Sequence, residues 1–560
     1  MSATARPAAT GLHPVPLRRR LFGFGSPFGK TIRDSRRVML LVGGILAILI
    51  IGVSQAIVQE FATPASRQGL ADIIAAVPPI LAGLAGKPVN VETLGGYLSY
   101  KYGTFFPIIA SLWSILALSG TLAGEARRGS LDFVASAPIS RRRLALEKLF
   151  GHLAVLTFAM VLVFLGILIA GSTAKGLPGD EISATAAAGY TIWLWLLAVV
   201  AGGLAFAIAP FFGRGAAIGI AGAVMFAGFI LNGYASAIPA VAPLSNLTWW
   251  GWTTNHLPLA GQFDWLSLVP VSVLAIVLFV IGVEAFVRRD LGATSTLPTP
   301  SLPRALLGLR GPAGRSAGEG LPSAIAWGIG IGIFGLMIAG SGSSFIDQLN
   351  KSPEFQHLLA TAFPNTNIAS IGGFLQLLFV EFGLILAGLA AATLVAKWAS
   401  DETSGRLEFL LASPLARVRW VVAGAAGILI GILVFLALSE VGIAIGTIVA
   451  NGDLVLPLEG TLVLGFYAIG LAGIGIGVGG VFGARFAATV VALVTIITWG
   501  LDIIAPPLGL DGVRQLALSA HVGQPMLGVW DPVGLVACVA LFVGGTAIGA
   551  WGFARRDLRG

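Results

Sequence analysis

The chain has 560 residues, 56% of them hydrophobic and 11% charged, with a formal net charge of +8 at pH 7. Soluble domains carry roughly 25% charged residues, so this composition excludes a fold that water alone solvates. The ten-residue alternation of an outer-membrane β-barrel is also missing. Runs of about 20 apolar residues recur, long enough to cross a hydrocarbon core about 30 Å thick. The expected fold class is an all-α polytopic membrane protein.

The first marked stretch is GFGSPFGKT, Gly23 to Thr31. A phosphate-binding loop needs Gly, four residues, then Gly-Lys-Ser/Thr, so that backbone N–H groups converge on the phosphates. Gly29, Lys30 and Thr31 supply the tail, but Phe24 stands where the first glycine belongs. IRDSRR and a long apolar run follow, whereas a phosphate loop opens a helix of a soluble α/β domain. The stretch therefore reads as a basic segment at the membrane surface. The apolar run after it reads as a retained span, not a cleaved leader.

Twelve spans are expected, near 38–58, 104–123, 149–171, 186–211, 216–236 and 267–287, then near 324–342, 372–396, 420–449, 458–481, 486–505 and 532–553. With both termini on the cytoplasmic side, 28 of the 34 Lys and Arg residues fall inward and six fall outward. The positive-inside rule supports that orientation. It also accounts for the basic charge without nucleic acid. Residues 59–103 read as short helices on the outer surface, and Trp249, Trp250, Trp252 and Trp265 as interfacial aromatics. The domain plan is a cytoplasmic N-terminal segment 1–37, a first half 38–288, a Pro/Gly/Ser-rich linker 289–322 and a second half 323–560.

The two halves resemble each other. GEARRGSLDFVASAPISRRR (Gly124–Arg143) aligns with SDETSGRLEFLLASPLARVR (Ser400–Arg419) at a constant offset. Glu125 meets Asp401, Gly129 meets Gly405, Leu131 meets Leu407, Asp132 meets Glu408, Phe133 meets Phe409, Pro138 meets Pro414 and Arg141 meets Arg417. Phe212-Gly213-x-Arg is echoed by Phe482-Gly483-Ala-Arg485, and FVRRDL by FARRDL at 553–558. Three landmarks in one order point to a fused duplication. An even number of spans in each half makes the repeats parallel, with a pathway expected between them.

The repeated segment has local logic. Leu131, Val134 and Ala135, or Leu407, Leu410 and Leu411, give one apolar face to a short helix. Pro138 and Pro414 end it. Ser140 can cap the next helix, whereas Ala416 cannot. The expected product is a helix–turn–helix elbow between two spans.

An acidic residue, Gly-x-Leu-Asp/Glu and Pro-x-x-Arg between the second and third of six spans resembles the permease family of ABC-2 exporters. The duplicated layout is similar to the antibiotic-exporter permeases of the tetronasin-resistance type. The resemblance implies two parallel six-helix repeats in a bacterial cell membrane. It also implies export of hydrophobic or amphipathic compounds such as antibiotics. Residues 124–148 and 397–419 would then couple to two separate ATP-binding cassette subunits. ATP and Mg would bind on those partners and no cofactor on this chain. The coupling residues would be Glu125, Gly129, Leu131, Asp132, Phe133, Pro138 and Arg141, with Asp401, Gly405, Leu407, Glu408, Phe409, Pro414 and Arg417. The family's basic elbow helix before the first span has a match in RRRLFGFGSPFGKTIRDSRR, whereas 304–322 is too rich in Gly and Pro for an ordered one.

Polar groups inside spans are costly and usually face protein or water. Gln55, Asn232, Gln376, Glu381 and Asp502 are therefore candidates for the substrate path, with Glu440 beside them. Phe105, Phe106, Trp113 and Trp499 are candidate walls of an apolar chamber. Interhelical hydrogen bonding and simple packing explain the same residues equally well. A twelve-helix, proton-coupled multidrug transporter is the alternative, with Glu381 and Asp502 as proton carriers. The five histidines, His13, His152, His256, His357 and His521, lack metal-ligand spacing. The single Cys538 reads as a small core residue.

Overall fold

The structure is a computed structural model that describes residues 25–75, 83, 85–121, 139–235, 242–288, 311–350, 370–504 and 511–557. It divides into two units, Met1–Thr299 and Pro300–Gly560.

The first unit opens at GFGSPFGKT with a helix cap. The Ser26 hydroxyl accepts the Gly29 N–H at 3.1 Å, and Pro27 occupies the first helical turn, where a missing N–H costs nothing. Helix α1 (Pro27–Glu60) then runs unbroken, so residues 27–37 are its opening turns and form no separate surface helix. Two short helices follow, α2 (Pro64–Ala75) and the largely buried α3 (Leu94–Tyr102). Helix α4 (Phe105–Thr121) continues α3 after a 44° bend. Helices α5 (Arg141–Thr173), α6 (Ala184–Tyr234) and α7 (Leu268–Arg288) complete the unit. Small residues set the contacts: Gly43 lies against the Ala159 backbone and Gly166 against Ala47, joining α1 to α5. Gly202 lies against Ser114, joining α4 to α6, and Gly282 against Phe206, joining α6 to α7. Leu40, Leu41, Ile48, Ile276 and Val280 face outward and are exposed, which suits lipid and not water.

Helix α6 covers two of the expected spans in one run of 51 residues, about 77 Å at 1.5 Å per residue. That far exceeds one crossing, and the run is interrupted where the two spans should part: Gly213 has φ 79° and ψ 173°. Trp249 and Trp250 are buried, and the Trp250 indole donates to the Met225 carbonyl at 3.1 Å. The chain between α6 and α7 folds back onto α6 and draws them inside; Trp265 stays exposed.

In the second unit, α8 (Pro312–Asn350) begins inside the segment read as linker. Its start uses Pro312 at the first turn. Arg315 then pairs with Glu319 one turn on and with Asp401, each at 2.9 Å, so an ordered helix forms there despite the local Gly and Pro content. Next come α9 (Ile371–Leu375), a π-helical turn over Gln376–Val380, and α10 (Glu381–Thr403). The short α11 (Arg406–Leu411) leads into α12 (Arg417–Val449). Helices α13 (Val455–Phe482), α14 (Ala484–Ile504) and α15 (Pro532–Arg555) finish the chain's described part. Helix α8 packs on α12, α10 on α13, and α13 on α15. In chain order these are the same pairings as α1–α5, α4–α6 and α6–α7. Gly483, with φ 115°, parts α13 from α14 as Gly213 parts the two arms of α6. Cys538 is buried against Gly470 on the α13–α15 seam, as a core residue should be.

Among the described residues, ten helices are long and apolar enough to cross a membrane, or eleven if the bent pair α3 and α4 counts as one span. The protein is an α-helical, multi-pass membrane protein.

Candidate functional site

The elbow between α10 and α12 is built from three local decisions. Helix α10 ends at Thr403, and Gly405 takes φ +73°, a left-handed conformation that side chains with a Cβ resist. That turn starts α11. Leu407 on α11 is buried, Leu410 and Leu411 are half-buried, and Glu408 and Phe409 point outward. Phe409 is 82% exposed, an unusual position for a phenyl ring outside the apolar spans. Pro414 follows, and α12 starts at Arg417 with Ala416 offering no side-chain cap. In the first unit, Ser140 does cap α5, its hydroxyl accepting the Arg143 N–H at 3.3 Å. Replacing Ala416 by Ser should therefore raise stability by about 1 kcal/mol. Thermal unfolding of the detergent-solubilised chain measures it, and no gain would show that α12 needs no cap.

Charged residues fix the base of this elbow. Asp401 is buried and accepts Arg315 at 2.9 Å, with Arg406 at 3.5 Å. Glu402 pairs with Arg556 through both guanidinium nitrogens. Arg417 donates to the Arg556 carbonyl at 2.8 Å. A cavity of about 320 Å³ lies under the elbow, with Arg315, Asp401, Trp398, Trp420, Leu410 and Pro414 among its walls. Seven of the fourteen expected coupling residues, those from Asp401 to Arg417, thus lie on or beside one surface turn. In the first copy Arg141 is exposed at the start of α5, and Arg142 pairs with Glu284. Glu125, Gly129, Leu131, Asp132, Phe133 and Pro138 lie outside the described residues.

The substrate-path candidates divide by unit. In the first, Gln55 donates to Thr173 at 3.0 Å, and Asn232 accepts from Ser245 and Thr254. Phe106 is buried and stacks on Tyr102 at 4.3 Å, Trp113 is buried edge-on to His152, and Phe105 faces outward. Gln55, Asn232, Phe106 and Trp113 are each held by a local partner of their own. In the second unit, four candidates gather where α10, α14 and the chain before α15 meet. Buried Gln376 donates to Glu381 at 3.4 Å and accepts the Met526 N–H at 3.3 Å. The Trp499 indole donates to the Glu381 carbonyl at 2.7 Å. Asp502, one turn beyond Trp499 on α14, accepts Arg514 at 2.8 Å. The π-helical turn ends directly before Glu381, and such bulges often mark functional positions. Glu440 differs from all of these: both carboxylate oxygens are buried and neither has a hydrogen-bond partner.

Sequence reasoning misses four members of the elbow base, Arg315, Glu402, Arg406 and Arg556. Arg556 lies in the repeated FARRDL, a signal that marks the repeat but not the partner.

Comparison with known proteins agrees with this architecture. Residues 309–554 match the family described as "Multidrug efflux system permease Rv1217c, C-terminal domain". The chain is also similar to the multidrug efflux system permease protein Rv1217c of Mycobacterium tuberculosis, with 26% identity over 503 residues that cover 84% of each chain. Helices of membrane-spanning length, an elbow between two of them and these two matches together make the chain a multi-pass membrane protein similar to a multidrug efflux permease.

Proposed function

We propose that the chain is the membrane subunit of an ATP-driven exporter of the ABC-2 type, moving hydrophobic or amphipathic compounds out of the cell. In this reading the chain is two copies of one six-helix unit. Both termini lie in the cytoplasm, and twelve spans result when the two arms of α6 are separate crossings. Two ATPase subunits bind ATP and Mg and push on the elbows. The exposed Phe409 on a turn set by Gly405 is the observation that carries this reading, because it offers an apolar contact outside the bilayer. The name of the mycobacterial relative supports the drug-efflux part, and the matching helix pairings of the two units support the duplication. The Gly213 and Gly483 breaks support it too.

Purified chain alone should hydrolyse no ATP; with its ATPase it should export a lipophilic dye. Gly405→Ala forces a Cβ into the left-handed region at a cost of about 1–2 kcal/mol. Coupled efflux should then fall about 5- to 30-fold while the chain remains in the membrane. Unchanged efflux in Gly405→Ala, or full transport without an ATPase, would overturn the reading. A proton-coupled transporter is the second reading, favoured by Glu381 and Asp502. It demands efflux that survives ATP depletion and stops with an uncoupler.

A further inference from the structure

We infer that Arg556 is the positioning residue that ties the second elbow to α13 and α15, so that the elbow cannot move without them. The role in transport rests on the export reading; the tie itself does not.

The guanidinium of Arg556 has five donors in a rigid fork, and the structure gives it partners from two directions. Toward the elbow, it pairs with Glu402 next to the end of α10, through Nη1 at 2.8 Å and through Nη2. Toward the bundle, Nε donates to the Gly480 carbonyl at 2.8 Å and Nη2 to the Gly479 carbonyl at 3.4 Å. Those carbonyls belong to the last turn of α13, which carries negative dipole charge; the Gly479 carbonyl also accepts the Gly483 N–H at 3.1 Å. The backbone of the same residue accepts Arg417 from the start of α12. One residue at the end of α15 therefore holds both flanks of the elbow and the end of α13.

Aromatic rings repeat the connection. Trp398 of α10 stacks on Trp420 of α12 at 4.9 Å, and Trp420 meets Phe553 of α15 at 4.8 Å. The Arg556 guanidinium carbon lies 5.1 Å from the Phe553 ring centre, within cation–π range. Arg556 and Glu402 are each only 17% exposed at the side chain, so the pair is shielded from much of the screening that weakens surface ion pairs.

The first unit differs in sequence and in its described residues. The repeat offset places Ala126 where Glu402 stands, which removes the carboxylate. Leu144 stands where Trp420 does, in an otherwise mostly aliphatic cluster with Leu118, Leu149 and Val283. Glu284 there takes Arg142 and Arg288 instead. Among the described residues, the latch is found in the second unit.

The test uses the full chain in lipid nanodiscs with Cys538→Ala and a spin label at Phe409→Cys, since Phe409 is already exposed. In the parent the label reports an ordered elbow. Arg556→Ala should raise the ratio of mobile to immobile label about tenfold, as loss of charge-assisted hydrogen bonds predicts. Arg556→Lys should lie between, because an ammonium lacks the fork. Glu402→Ala should raise the ratio less than Arg556→Ala, because the Gly479 and Gly480 carbonyls still hold the guanidinium. An unchanged spectrum in Arg556→Ala overturns the latch. In cells that carry the ATPase and the chain with Phe409 and Cys538 in place, ethidium efflux should fall about tenfold in Arg556→Ala and less in Arg556→Lys. A mobile label with undiminished efflux overturns the transmission role. No efflux by the unsubstituted chain refutes the export reading, and the spectra still decide the latch.

Discussion

Asp180→Ala is expected to lower the unfolding free energy by about 3–5 kcal/mol, the scale for breaking a buried ion pair. Arg67 and Asp180 have side chains only 2% exposed and meet through two guanidinium–carboxylate bonds of 3.2 Å. Arg67 also donates to the Phe61 carbonyl at 2.8 Å and to the Glu92 carbonyl at 3.3 Å. Asp180 accepts the N–H groups of Leu94 and Leu177, each at 2.9 Å, and of Gly176 at 3.3 Å. The end of α1, the start of α3 and the loop between α5 and α6 thus close on one pair. Removing the carboxylate strands a buried cation and orphans backbone donors, and each stranded group carries its own desolvation cost. Arg67→Met with Asp180→Leu should cost less than Asp180→Ala alone, because no charge remains to be buried. Denaturant or thermal unfolding of the solubilised chain, compared across the three variants, reads the difference. A loss under about 1 kcal/mol in Asp180→Ala would mean that water reaches the pair.

That pair also illustrates where a sequence stops being readable. Arg67 and Asp180 stand 113 positions apart, and nothing near either residue names the other. Their meeting depends on how two loops close, which is tertiary geometry. Arg556 and Glu402 are the same case. Features set by neighbours along the chain are legible: Ser140 caps, Ala416 does not, Gly405 turns, and Pro414 separates α11 from α12. Hydropathy places the spans because backbone in lipid has few options besides helix. It does not reveal whether a helix stops between two spans. Gly213 breaks the ladder's dihedrals while helix continues on both sides. Trp249 and Trp250 show another limit: an amphipathic ring needs a polar partner when buried, and only the fold of 242–267 brings the Met225 carbonyl to Trp250. The π-helical turn before Glu381 has no local signature at all.

Gly442→Leu is expected to have the other large effect, abolishing recovery of folded protein. Within lipid, helix association relies on close packing, since apolar surface gains little by leaving lipid for protein. Helices α8 and α12 meet backbone to backbone: a Cβ on Gly442 would overlap the carbonyl of Gly332, and one on Gly446 would stand 2.5 Å from the Leu336 carbonyl. A flexible side chain could swing aside, but a helix backbone cannot. The helices must separate along the whole seam, which includes Gly328 against the Phe435 backbone. Overpacking commonly costs about 1–3 kcal/mol and more where nothing yields. Gly442→Ala should already lower the unfolding midpoint, and Gly442→Leu should leave little monodisperse chain on size exclusion. Gly219→Ala is the control: its Cβ meets nothing within 4 Å, and Ala favours helix over Gly by about 1 kcal/mol. That variant should hold or gain stability. Equal behaviour of Gly442→Ala and Gly219→Ala would mean that the α8–α12 seam is looser than its glycines require. The elbow beyond α12 would then be anchored mainly by its ionic base.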